Sequence, residues 1–167
     1  QQAHFQSQER QSPREYINRE SHYYWGDRYL LHVIERDAPP EVVVRTMKHL
    51  DLYVRPGSDT AQREQVLQAW YRRQLKAAIP PLIAKWEQRL GVHVAEWYVK
   101  RMKTKWGTCT AEAHRIWINL ELVKKPPQCL DYIVLHEMAH LLERHHNDRF
   151  IALMDEHMLH WRTVRDR

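Results

Sequence analysis

No apolar run in the chain approaches the length of about 20 residues that spans a bilayer, so no transmembrane helix is expected. Cysteine is scarce: Cys109 and Cys129 are the two present, and they do not form a C-x-x-C pair. Two such residues suit free thiols in a reducing, cytoplasmic setting better than a disulfide framework, with a single bridge between them as the alternative. Internal repeats and low-complexity tracts are also missing, which removes repeat arrays from consideration. Residues 1–19 lack the apolar centre and the small-residue cleavage site of a signal peptide; rich in Gln, Arg and Glu, they read as a mobile lead. A first residue other than Met leaves a longer precursor or a trimmed chain open.

What remains is the composition of a globular domain. The chain has 167 residues, 43% hydrophobic and 28% charged, enough to bury one core without staples. The reading is a flexible polar lead over residues 1–22 and a single domain over residues 23–167. A net charge of +5 permits a polyanionic partner without demanding one.

Residues 23–54 show short β-type alternation around Leu30, Leu31, Val33 and Ile34, then Val42 to Val44, then Leu50, Leu52 and Val54. Gly26-Asp27, Pro39-Pro40 and Pro56-Gly57 break these runs, and the expectation is an antiparallel β-meander. Ser58-Asp59 then offers a helix N-cap, and Val66, Leu67, Trp70, Tyr71, Leu75, Ala78 and Ile79 recur at helical spacing, Trp70 and Tyr71 as core. Pro80-Pro81 should interrupt or kink that helix, which resumes to Leu90 and stops at Gly91. Two more strands are expected over residues 94–102 and 115–120, flanking a turn at Gly107. Helices should follow from about Pro127 to Arg144 and from about Asn147 to Met158, giving an α+β chain.

Inside the first of those two helices, residues 136–140 read His-Glu-Met-Ala-His. Positions i and i+4 lie one turn apart on one face, so His136 and His140 can offer two imidazole nitrogens to one zinc ion. Glu137 between them can then act as general base on a water whose pKa the metal has lowered to about 7. With 12 histidines and 13 glutamates in the chain, roughly 0.07 accidental matches to the five-residue pattern are expected. Chance is disfavoured, and the apolar lead-in Leu130, Tyr132, Ile133, Val134 and Leu135 marks the helix as buried. The plainer alternative is a pair of histidines satisfied on a half-buried helix.

The third ligand is a geometric problem. On an unbroken helix His146 would be rotated about 240° from His140, so it reaches the metal only if the helix ends between them. It is the first candidate. Glu143 shares the face of His136 but lies about 10 Å along the axis; His145 and Glu156 are further alternatives. Cys109 could close a four-ligand structural site, although a glutamate beside the first histidine has no purpose in one.

Four segments together carry a resemblance: Arg101-Met102-Lys103-Thr104-Lys105-Trp106-Gly107-Thr108-Cys109; Ile116-Trp117-Ile118-Asn119-Leu120; residues 131–140 with the metal motif; and His145-His146-Asn147 with Phe150. Over roughly residues 23–162 the chain resembles the YgjP-type family of metal-dependent hydrolases, related to the WLM and SprT-like zinc metallopeptidases. The resemblance implies a zincin-like fold, a small and mostly antiparallel β-sheet packed on helices, with one Zn2+ held by His136, His140 and His146. Thr108, Thr110 and Asn147 stand where that family usually has Ser, and Glu143 replaces the glycine at which the metzincins turn.

The expected chemistry is hydrolysis by a metal-activated water, with Glu137 as base and an oxyanion donor that no residue marks. A peptide or protein substrate would lie along an edge strand, for which residues 115–119 are the candidate. The basic run of Lys100, Arg101, Lys103 and Lys105, read as a strand with three cations on one face, points elsewhere. With Trp106 and Asn119 it could bind phosphates, making the chain a nucleoside triphosphate pyrophosphohydrolase of the UTP type. It could also hold nucleic acid, as in a SprT-like DNA-associated protease. A non-catalytic metal-binding module and a merely solvated edge strand are the plainer alternatives.

Overall fold

The structure is a computed structural model, which describes residues 14–46 and 48–166. Among the described residues, seven strands form two small sheets, and four α-helices pack against them: an α+β arrangement. Among the described residues no helix is long and apolar enough to cross a membrane.

Strands β1 (Ser21–Tyr24), β2 (Asp27–Glu35), β3 (Glu41–Arg45) and β4 (His49–Val54) make the first sheet, in the order β1-β2-β4-β3. The antiparallel meander is corrected here, because β2 and β4 run parallel, Leu31 opposite Leu50 and Val33 opposite Leu52. Burial explains the order. Leu50, Leu52 and Val54 of β4 are almost fully enclosed, whereas Val44 of β3 is exposed, so the more apolar arm of the β3–β4 hairpin takes the interior place. The tight turn between β1 and β2 puts Trp25 and Gly26 at positive φ, and its backbone donates to the carbonyls of Val123 and Lys124. That contact ties the sheet to the segment entering the motif helix.

The proposed lead does not end where expected. Residues 1–13 lie outside the described residues, but Ser21 and His22 belong to β1, and Tyr16 is buried and stacks on His22. Hydrogen bonds from the Glu15 and Tyr16 amides to the Glu20 carboxylate hold this segment in the fold.

Helix α1 (Thr60–Leu90) starts on a reciprocal cap, with Asp59 accepting from the Gln62 amide at 2.8 Å and Gln62 accepting from the Asp59 amide at 2.9 Å. It ends at Gly91, whose φ of 69° suits glycine. The expected interruption at Pro80-Pro81 does not occur; the helix is continuous through both. Each proline removes one rung at a cost of about 3 kcal/mol in an isolated helix. Burial of Leu75, Ile79, Ile83 and Trp86 along one face, at about 1.5–3 kcal/mol per side chain, offsets that cost.

The second sheet contains β5 (Glu96–Lys100), β6 (Gly107–Thr110) and β7 (Arg115–Asn119) in the order β5-β7-β6, with β5 parallel and β6 antiparallel to β7. Gly107 is not a turn but the first residue of β6. The strand read through Lys105 stops at Lys100, and residues 101–106 form a loop. Helix α2 (Pro127–Ala139) packs its buried length against α1, β6 and β7; α3 (Asp148–His157) and α4 (Trp161–Arg165) close the far side. Across the helix interface Asp131 accepts from the Trp86 indole and from Lys85. Cys109 and Cys129 are not joined in a disulfide.

Candidate metal centre

Helix α2 does not continue to Arg144. It ends at Ala139, with His140 as its C-cap, and the amides of Leu141 and Leu142 fold back three residues to Met138 and Ala139. This tightened end turns the chain so that His146 comes back to the face it would have left on an intact helix. Asn147 then caps α3 by accepting from the Phe150 amide at 3.1 Å, and its side-chain NH2 donates to the Glu143 carboxylate at 2.9 Å.

Among the described residues, one group of metal-ligating side chains converges: His136, His140 and His146, with one nitrogen from each lying within 4.8 Å of the others. His136 Nε2 and His146 Nε2 are 3.0 Å apart. A tetrahedral zinc with Zn–N of about 2.0–2.1 Å would set its imidazole nitrogens about 3.3 Å apart, a spacing that the His136–His146 pair approaches, and three imidazoles are a donor set that suits this ion. The outer nitrogens are held as well. His140 Nδ1 donates to the Glu143 carbonyl at 3.0 Å, and His136 Nδ1 lies 3.2 Å from Glu137 Oε2. Such bonds fix the tautomer that leaves the inner nitrogen bare.

Burial lowers His146 to about 4, with His136 and His140 adding to the effect; burial also lowers His140, against the opposing pull of Glu137. Both are therefore neutral at pH 7, the protonation state that binds a metal. Phe150 of α3 is the floor beneath the cluster, its ring centroid 4.7–5.0 Å from all three imidazoles. No motif marked that role, since Phe150 entered the sequence reading only among the residues that carry the family resemblance.

Glu137 is 2% exposed and pressed by β6. A Cβ built on Gly107 would stand 2.9 Å from Glu137 Cγ and 3.1 Å from Glu137 Oε2. Only glycine lets β6 approach the carboxylate this closely. Cys109, next inward on the same strand, is pushed up to about 12 by burial, then by the charges of Glu137 and Glu112, so it stays a thiol. It is not part of the converging group, nor are Glu143, His145 or Glu156.

The other candidates separate. Residues 115–119 are β7, hydrogen-bonded on both sides, and cannot take an added strand; the edge beside Glu137 is β6. Asn119 is buried and committed to the loop: Nδ2 donates to the carbonyls of Met102 and Lys105, and Oδ1 accepts from the amides of Met102 and Glu121. Arg101 donates to Gln68, Lys103 and Lys105 are exposed, and Trp106 is half-buried with Lys125 over its ring. With Lys100, Met102, Thr104 and Thr108, Arg101 and Lys105 line a cleft of about 400 Å³.

No curated protein sequence matches the chain. Among solved structures it is similar to the metallopeptidase zymogen of Pyrococcus abyssi abylysin, at 16% identity and a TM-score of 0.46 over 50% of this chain and 85% of that one, a likeness too slight to bear on chemistry. The family model described as YgjP-like, metallopeptidase domain, matches residues 1–167. With that match over its whole length, the chain belongs to the YgjP-like family of metallopeptidase domains.

Proposed function

We propose that the chain is a zinc metallopeptidase acting on extended protein segments, with His136, His140 and His146 as ligands and Glu137 as general base. The observation that carries this reading is the convergence of three imidazoles beside a buried carboxylate, at the inner side of an open sheet edge. When bound, the ion supplies Lewis acidity and a water acidic enough to be deprotonated near neutral pH. The residues of the chain do the rest. The His136, His140 and His146 imidazoles fix position, Glu137 takes the water proton and returns it to the leaving amine, and Phe150 excludes solvent from below. An extended substrate pairs with the free edge of β6 through its backbone, which brings its carbonyls past Glu137. Cys109 and Cys129, not joined in a disulfide, suit work in a reducing compartment such as the cytoplasm.

The pyrophosphohydrolase alternative is less well supported by the geometry. Gly107 and Cys109 of β6 face Glu137, so Thr108, which lines the basic cleft, faces the opposite side of the sheet. Phosphates held there lie across the sheet from the base.

The test is zinc content together with hydrolysis of an unfolded protein and of UTP, for wild type, Glu137→Ala and His136→Ala. The expected result is proteolysis lost in both variants, with zinc retained only in Glu137→Ala. Pyrophosphate release without proteolysis would overturn the peptidase reading, and wild-type protein without stoichiometric metal would overturn the centre itself.

A further inference from the structure

The outward face of the second sheet has a composition that the metal centre does not use. Alternation along the strands turns Val99, Ile116 and Ile118 inward and Tyr98, Lys100, Trp117 and Thr108 outward. Tyr98 and Trp117 are register partners, with ring centroids 4.7 Å apart, and Tyr98 is 42% exposed. Lys100 Nζ stands 4.6 Å from the centroid of the Trp117 ring. Beside this pair, the cleft of about 400 Å³ opens among Lys100, Arg101 and Lys105.

Several cations gather on this face. Some exposed cations of the chain sit on carboxylates, as Arg36 does with Glu41, Lys48 with Asp27 and Arg55 with Asp37. Among the described residues Lys100, Lys103 and Lys105 have no carboxylate within 4.0 Å, and the Glu96 carboxylate of this face is taken up by Arg115 and the Tyr98 hydroxyl. Asn119 holds residues 101–106 in one shape, so the cations are presented together rather than on a free loop.

We propose that this face binds single-stranded nucleic acid, with a base stacking on Tyr98 and phosphates meeting Lys100, Arg101, Lys103 and Lys105. An exposed aromatic platform needs bases whose π-faces are free, which a duplex does not offer. Of the four cations beside it, Lys100, Lys103 and Lys105 have no carboxylate partner and Arg101 has Glu121 at 3.9 Å, a balance of charge that suits a polyanion. A cleft of this volume is in the range that small-molecule ligands occupy, and holds a single nucleotide. The surface lies across the sheet from Glu137, so it serves as a tether for the domain and is independent of the metal reading.

The experiment is fluorescence anisotropy with labelled 20-residue oligomers of thymidylate and of uridylate, the matching duplex, and poly-glutamate as competitor, using metal-free Glu137→Ala protein. The single strands should bind with a log–log salt slope of about −2 to −3, as about four phosphate contacts require. Tyr98→Ala should weaken binding at least about 5-fold, the lower limit for losing one stacked base. Because Tyr98 is partly exposed, its removal spares the fold. Lys100→Gln with Lys105→Gln should make the slope shallower by about 1.4. Preference for either sugar upholds the proposal and identifies the ligand as DNA or RNA. Equal affinity for the duplex, displacement by poly-glutamate at equal charge, or an unchanged affinity in Tyr98→Ala overturns it.

Discussion

Gly107→Ala adds one methyl group to β6, and the structure sets what that group meets. Its carbon would lie 2.9 Å from Ile133 Cγ2 and 2.9 Å from Glu137 Cγ, where ordinary contact begins at 3.4 Å. Ile133 and Glu137 are both enclosed in α2, so the added carbon is relieved only by a shift of β6 together with the Glu137 side chain, each contact opening by about 0.5 Å. A displacement of about 1 Å at a reacting group costs about 100-fold in rate, which puts the loss here near 10-fold in kcat. Overpacking of this kind costs about 1–3 kcal/mol, or about 2–12 °C in Tm for a chain of this length. The three histidines are not touched, so zinc stoichiometry should hold. Thermal unfolding, zinc content and kcat on an unfolded protein, measured side by side with wild type, make the check. Unchanged kcat with Tm within about 1 °C of wild type would refute the packing of β6 on the base, and loss of zinc would show that the strand supports the ligands instead.

His146→Ala should lower zinc affinity by more than about 100-fold in a chelator competition, since even partners one layer removed from a metal are worth 10–100-fold; unchanged affinity would place the third ligand elsewhere. Asn119→Ala removes four hydrogen bonds, three to residues 101–106 and one from the Glu121 amide, at a cost of about 2–4 kcal/mol, and should speed amide exchange at Met102 and Glu121. Exchange at wild-type rates there would refute the clamp. Burial lowers His22 from the usual imidazole range despite Glu20 at 2.6 Å, so the unfolded chain binds the proton more readily. Stability from this group is complete above about pH 6.5 and declines as pH falls below it, and His22→Phe should flatten Tm against pH between about 6.5 and 5. An equal slope in the variant would show that His22 titrates as it does in the unfolded chain.

Local patterns were legible wherever one helix or strand fixed its own residues. The Asp59 cap, the Gly91 stop and the helical spacing from Val66 to Ile79 act within a few residues, and the two ends of α1 stand where they put them. The convergence of His136, His140 and His146 was readable because it needed only one helix end in the right place. The end itself was not, since Leu141 and Leu142 prolong the apolar pattern beyond Ala139. Strand β6 was hidden in Gly-Thr-Cys-Thr, which has no apolar alternation and is fixed by its packing on α2. Lysines at alternate positions imitated a strand after Lys100, yet the hydrogen bonds of Asn119, distant in the chain, hold that stretch as a loop. Parallel pairing of β2 with β4 likewise depends on which hairpin arm is the more apolar, a comparison between strands that no single window contains.

A helix that lacks two consecutive rungs at Pro80 and Pro81 is divided energetically where it is continuous geometrically. On one side of that seam Trp70 and Tyr71 hold β1, through ring contacts with Tyr24 and a 2.6 Å bond from the Tyr71 hydroxyl to the Tyr23 carbonyl. On the other side Lys85 and Trp86 hold Asp131 of α2. Partial opening of the native protein has a boundary ready at the prolines, and the first sheet can loosen as one cooperative unit while the unit containing His136 and Glu137 stays closed. Protection of the metal-binding helix from hydrogen exchange is then set by the second half of α1 rather than by the whole domain.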